Sequence, residues 1–101
     1  MSVISVNKNN FNDIISGGKT VLLDFYADWC GPCRMVSPIV DEIATENPQY
    51  TVGKINVDNE PELAMNFGVS SIPMLVVIKD GKIAASAVGA RPKDQILEML
   101  K

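Results

Sequence analysis

Three features of the sequence predict an α/β fold built on a mixed sheet. Two runs of β-branched and aliphatic residues, VLLDFYA (21–27) and MLVVIKD (74–80), read as strands buried on both faces. Segments with apolar residues at helical spacing fall between the strand-like runs. Asp80-Gly81 joins MLVVIKD to the next apolar run, which is a hairpin signal, so the last two strands are expected to be antiparallel neighbours. Strands alternating with helices imply a sheet covered on both faces, and the hairpin gives it an antiparallel edge. The expectation is a central mixed sheet of about five strands flanked by about four helices.

In chain order, a first strand is expected over Val3–Val6. Asn10 is placed to cap a short helix through Ile15, which Gly17-Gly18 ends. After VLLDFYA, a long helix is predicted from Cys33 to Glu46, with Val36, Ile39, Val40 and Ile43 at helical spacing and Asn47-Pro48 as its stop. Pro38 sits inside that pattern, removes one helix hydrogen bond and should kink the helix. A third strand spans Thr51–Val57. Asn59-Glu60-Pro61 starts the next helix, which Gly68 terminates. MLVVIKD and Lys82–Val88 form the hairpin, and Pro92 opens a last helix carrying Ile96, Leu97 and Leu100.

At 101 residues there is room for one domain, 1–101, and no repeat, low-complexity tract or linker divides it. A content of 47% hydrophobic and 21% charged residues is that of an ordinary globular protein, and a monomer is the default expectation. The nine Lys and Arg residues are scattered and the net charge is -3, which argues against nucleic acid or an anionic membrane as the main partner. The longest strongly apolar run, Met74 to Ile78, is far too short to span a bilayer. The opening MSVISVNKNN lacks the apolar stretch of a secretory signal, so a cytoplasmic location is expected.

Histidine is absent, which excludes Ser-His-Asp and Cys-His catalysis and every metal site that needs imidazole. Two cysteines are too few for a four-thiolate zinc or iron–sulfur site within one chain. They stand at Cys30 and Cys33, as Cys-Gly-Pro-Cys, directly after a buried strand and at the start of a long helix. The first N–H groups of a helix are unpaired and its dipole is positive there, so a Cys30 thiolate is stabilised and its pKa should fall below that of a free thiol. Pro32 fits the first helical turn, where its missing N–H is not needed. Gly31 offers no side chain to obstruct an incoming disulfide. Cys33 is within reach of the Cys30 sulfur and is expected to be the more buried of the two.

Other readings of the pair are a structural disulfide, half of a metal site shared between two chains, and two inert core cysteines. A bridge closing so short a loop contributes only about 1.9 kcal/mol by chain entropy, against about 3 for a 15-residue loop. A reducing cytosol would also keep a purely structural bridge open. The strand-to-helix setting therefore favours a redox pair.

The segment DFYADWCGPCRMVSPIVDEIA resembles the active-site segment of the thioredoxin family, and the likeness continues through KINVDNEPELAMNFGVSSIPMLVVIKDGK and AVGA. Trp-Cys-Gly-Pro-Cys with Ile72-Pro73 downstream is a specific combination. The resemblance implies the thioredoxin fold and a protein-disulfide reductase that works by dithiol–disulfide exchange. In it, Cys30 is the nucleophile, Cys33 the resolving thiol and Cys30–Cys33 the redox disulfide. It implies no cofactor or metal, disulfide-containing target proteins as partners, and recharging by a thioredoxin reductase.

Asp24 is an ionisable group inside an apolar strand, so burial should raise its pKa. It is either a carboxylate facing water at a strand end or a buried group that takes the Cys33 proton through a water. Thioredoxins are similar in carrying an aspartate at this point, and Lys54 matches the lysine that neighbours it; the alternative for Lys54 is an exposed strand lysine. Trp29 is either a core aromatic or, as the resemblance implies, part of the substrate contact surface beside the thiols. Tyr26 and Phe25 read as packing residues, and Met35 and Met65 as core or rim packing. Pro73 borders an interior strand, where it cannot donate to the ladder. The family carries a cis-proline at the matching position, and its loop lets a substrate backbone pair beside the sulfurs. Val88-Gly89-Ala90 resembles the third segment of the same surface, with Gly89 permitting close approach. The implied substrate surface is therefore Trp29, Gly31, Pro32, Ile72, Pro73, Val88, Gly89 and Ala90. Met74, where threonine is usual, and Ser70-Ser71, where a glycine is frequent, depart from the family pattern and bear on partner preference.

Two rival functions use the same residues. An oxidant or isomerase of this fold would act in an oxidising compartment, against which the Gly-Pro dipeptide and the absent signal both count. A binding module would hold a partner on the apolar patch around Trp29, Ile72 and Val88, a role that leaves the thiols and Asp24 unexplained.

Overall fold

The computed structural model describes residues 3–101, so Met1 and Ser2 of the expected 1–101 domain lie outside the described residues. The elements are β1 (Ile4–Ser5), α1 (Phe11–Ile15), β2 (Val21–Tyr26), α2 (Gly31–Glu46), β3 (Thr51–Asn56), α3 (Pro61–Asn66), β4 (Met74–Lys79), β5 (Lys82–Val88) and α4 (Lys93–Leu100). The strands form one five-stranded sheet in the order β1-β3-β2-β4-β5. β1, β3 and β2 are parallel, while β4 is antiparallel to β2 and β5 antiparallel to β4. The expected α/β class, strand and helix numbers, and antiparallel hairpin edge are all found.

Alternate residues along a strand face opposite sides of the sheet, and two core clusters follow from that alternation. On one face Leu22, Val52, Leu75 and Val77 meet Val36, Val40 and Ile43 of α2 and Ile96 and Leu100 of α4. On the other, Leu23, Phe25, Ile55 and Val76 meet Leu63 of α3 and the partly buried Phe11 and Ile14 of α1. Phe67 closes that side with an edge contact to Phe11 at 5.7 Å and a tilted one to Phe25 at 5.2 Å. No helix among the described residues is long and apolar enough to cross a membrane.

Several local expectations need correction. Asn10 precedes α1 but does not cap it: its side-chain oxygen accepts from the Asn7 N–H at 2.8 Å and its amide donates to the Ser5 carbonyl at 3.0 Å. α2 begins at Gly31 rather than Cys33, because the Cys30 sulfur itself accepts the Cys33 N–H at 3.2 Å and so serves as the N-cap. Pro38 lies inside that helix, as its place in the pattern predicts. Met35 and Met65 are not core residues; their relative exposures are 69% and 78%. The hairpin behaves as its sequence demands, with Asp80 at φ 53° and Gly81 at φ 76°, the left-handed pair that a two-residue turn requires.

Candidate active site

β2 stops at Tyr26, and the turn through Ala27, Asp28 and Trp29 delivers Cys30 to the head of α2; the Cys30 N–H donates to the Ala27 carbonyl at 3.2 Å. Cys30 and Cys33 are joined as a disulfide, with their Cα atoms 5.3 Å apart. Both residues are buried, at 4% and 3% exposure, so in this oxidised state burial does not separate them as expected. The reason is that both sulfurs pack with Ala27 under Tyr26, Val57 and Ile72. Gly31 and Pro32 remain exposed, and a Cβ built on Gly31 would meet nothing within 4 Å.

Across from the disulfide, the Ile72–Pro73 peptide is cis, and the Ile72 carbonyl oxygen lies 3.9 Å from the Cys30 sulfur. Pro73 is buried at the start of β4. The Gly89 N–H donates to the Pro73 carbonyl at 2.8 Å, with Gly89 at φ 97°, so the ends of β4 and β5 are tied together beside the sulfurs. Val88 pairs with Met74 and is 52% exposed. Trp29 is not a core aromatic: it is 69% exposed, and its indole N–H donates to Asp58 Oδ2 at 2.9 Å. Trp29, Val57, Ala64, Val69 and Ile72, with Ser70 and Ser71 at the rim, line a depression of about 380 Å³. Ala90 stands apart from that groove, on a second depression beside α2.

Asp24 is only 2% exposed, which removes the water-facing alternative. It and Lys54 are direct neighbours in the β2–β3 ladder. Burial pushes the Asp24 carboxyl up from 3.8 to about 7, the Lys54 ammonium pulls it partly back, and the Asp41 carboxylate adds to the rise. Its Oδ1 is buried and has no hydrogen-bond partner in the protein. Asp24, Cys33, Lys54, Tyr26 and Ser37 line one cavity of about 220 Å³, with Asp28 and Arg34 also on its wall. Polar side chains line the cavity and it has room for water, so a proton can pass between the carboxyl and the thiol without direct contact.

Sequence reasoning missed four residues here. Tyr26 lines the Asp24 cavity and holds its ring 5.5 Å below the Lys54 ammonium. The two-residue period that puts Asp24 and Tyr26 on one face of β2 is the signal that could have found it. Arg34 donates to the Asp28 carbonyl at 2.8 Å beside the same cavity. Asp58 and Val57 are brought to Trp29 by the turn after β3, in which the Asn56 side chain accepts the Asp58 N–H at 2.9 Å. No local pattern in the sequence announces those three.

The Thioredoxin family model matches residues 2–101. The chain belongs to the thioredoxin family. It is 48% identical to a thioredoxin of Mycobacterium bovis over 101 residues, covering 98% of this chain and 87% of that relative. It is 44% identical to a thioredoxin of Chlamydia muridarum over 95 residues, covering 94% and 92% of the two chains. A single-substitution mutant of thioredoxin from Halobacterium salinarum NRC-1 superimposes with a TM-score of 0.92 at 37% identity, covering 98% of this chain and 88% of that one. With its Cys30–Cys33 disulfide, this member of the family is a thiol–disulfide oxidoreductase acting by dithiol–disulfide exchange. The family's partners are, in general terms, disulfide-containing proteins and a reductase.

Proposed function

We propose that the reduced chain attacks a target disulfide through the Cys30 thiolate. The Cys30–target sulfur bond forms, the target's own disulfide breaks, and one target sulfur leaves as a thiolate. Asp24 takes the Cys33 proton through the shared cavity, with Lys54 tuning its acidity. The Cys33 thiolate then attacks the Cys30 sulfur, the intramolecular disulfide forms, and the second target sulfur departs and is protonated. Two electrons have moved from Cys30 and Cys33 to the target. The observation that supports this assignment above others is that Asp24 and Cys33 line one cavity while Cys30 caps the helix.

Trp29, Gly31, Pro32, Ile72, Pro73, Val88, Gly89 and Ala90 form the substrate contact surface in this reading. A thioredoxin reductase returns the disulfide to the dithiol. The chain works as a single domain over 1–101, as a monomer in the cytoplasm, with no resident cofactor and no nucleic acid or membrane partner. The test is a trapping experiment with a disulfide-bonded target protein. Cys33→Ser is expected to accumulate a mixed disulfide through Cys30, visible as an added mass that a reductant removes, while Cys30→Ser gives neither adduct nor turnover. Turnover that survives Cys30→Ser would overturn the assignment.

A further inference from the structure

α2 and α4 pack on the sheet face opposite α3, so the region beside them is separate from the Trp29 groove. There the chain leaves β5 at Val88, and the Gly89 N–H bond to Pro73 fixes this connection relative to the disulfide. Just beyond it lies a depression of about 290 Å³, lined by Met35, Val36, Ile39, Ala90, Arg91 and Pro92. It shares no residue with the Trp29 groove, and its lining is apolar except for Arg91. Met35, 69% exposed and two residues past Cys33, supplies a flexible apolar wall with nothing of this chain covering it.

Arg91 is half-buried and forms no ion pair among the described residues. Its Nη2 reaches only the Val88 carbonyl, at 3.4 Å, and its buried Nε has no partner. A guanidinium is never deprotonated and presents a planar fork that fits a carboxylate. An unanswered cation beside an apolar hollow is complementary to an apolar side chain with a carboxylate next to it.

We infer that the Met35–Ile39–Pro92 depression is a second substrate subsite, taking an apolar residue of the target protein whose neighbouring carboxylate pairs with Arg91. The inference rests on the exchange reaction above and names a class of target for it: disulfides flanked by an apolar–acidic pair. Ala90 belongs both to this depression and to the proposed contact surface, so one target segment can occupy both.

The test uses disulfide peptides identical except for Leu-Glu or Leu-Lys placed next to the reactive cysteine, before it in one pair and after it in the other. The wild-type chain is expected to favour Leu-Glu by about three- to five-fold in kcat/KM in one placement, with the difference carried in KM. Arg91→Glu reverses that preference and Arg91→Lys keeps part of it. Equal rates in both placements, with both peptides reduced, would overturn the subsite and leave the exchange reaction standing. Reduction of none of the peptides would overturn the exchange reaction beneath it. A preference unchanged in Arg91→Glu would remove Arg91 from the site. The wild-type comparison needs no variant to fold.

Discussion

The Asp24 carboxyl gives up its proton near 3.8 in an open chain and near 7 in this fold, because burial penalises the charged form more than Lys54 favours it. Between those two values the folded chain holds one more proton than the unfolded chain. Stability therefore falls as pH rises through that window and levels off above it. The shift corresponds to about 4 kcal/mol. Asp24→Asn removes the titration, so the variant is expected to be more stable than the parent at pH 8, by a few kcal/mol, and close to it at pH 4. Urea midpoints of the oxidised protein across that range measure the difference, and parallel curves for the two proteins would contradict it. The same substitution is expected to slow release of the mixed disulfide by about 100-fold and to abolish an inflection near pH 7 in that step. Stopped-flow decay of the adduct reads both. The proton-transfer role proposed for Asp24 would explain why an apolar strand carries a buried carboxyl that weakens the folded state. This tension was legible in VLLDFYA, since an acid in an apolar strand stands out by residue type. That Lys54 is its neighbour was legible only through the family resemblance, since strand pairing joins residues far apart in sequence.

At the scale of elements, the strands and helices were readable wherever local chemistry decides them. Asp80-Gly81 needs only its own backbone preferences to make a hairpin, and Pro61 and Gly68 mark the ends of α3 by what they cannot and can adopt. Asn10 does not cap α1 because its side chain turns back to the segment just before it, bonding the Asn7 N–H and the Ser5 carbonyl in place of the helix N–H groups. The edge of the sheet carries a constraint that spacing does not reveal. A Cβ on Gly53 would stand 2.5 Å from Val6 Cγ2 and 3.5 Å from the Ile4 carbonyl oxygen, so any larger residue at this point of β3 requires the Val6 side chain or the backbone to shift. Gly53→Ala is expected to cost about 1–3 kcal/mol from overpacking. Val6→Ala removes the colliding methyl, so the double variant should be less destabilised than the sum of the two single ones, with a coupling of about 1 kcal/mol. Denaturant melts of the four proteins close that cycle. Simple additivity would mean that the close approach is relieved by movement of β1 and is not a constraint on the fold.

For the whole molecule, the strand order β1-β3-β2-β4-β5 matters because it places β2, which carries Asp24 and leads to Cys30, at the centre of the sheet. The cis Ile72–Pro73 peptide at the head of the neighbouring strand β4 then faces the disulfide, and the Gly89 N–H bond to the Pro73 carbonyl ties the end of β5 to it. The sequence motif located the sulfurs, but the sheet decides what surrounds them, which is why Arg34, Val57 and Asp58 emerged only in three dimensions. Redox direction is likewise a property of the whole fold. Oxidation and unfolding form a thermodynamic cycle, so the potential of the folded pair differs from that of the unfolded pair by the stability difference between the oxidised and reduced proteins, with about 30 mV for each 1.4 kcal/mol. A fold that is more stable when oxidised holds its disulfide against reduction and is therefore a strong reductant in its dithiol form. A fold that is more stable when reduced is an oxidant. The reductase reading predicts that the oxidised protein unfolds at the higher urea concentration, and that Trp29 fluorescence in a graded thiol–disulfide buffer follows a single two-electron transition near the thioredoxin value of about −270 mV. The order of the two urea midpoints alone decides between the roles: a more stable dithiol form would make this chain a disulfide donor.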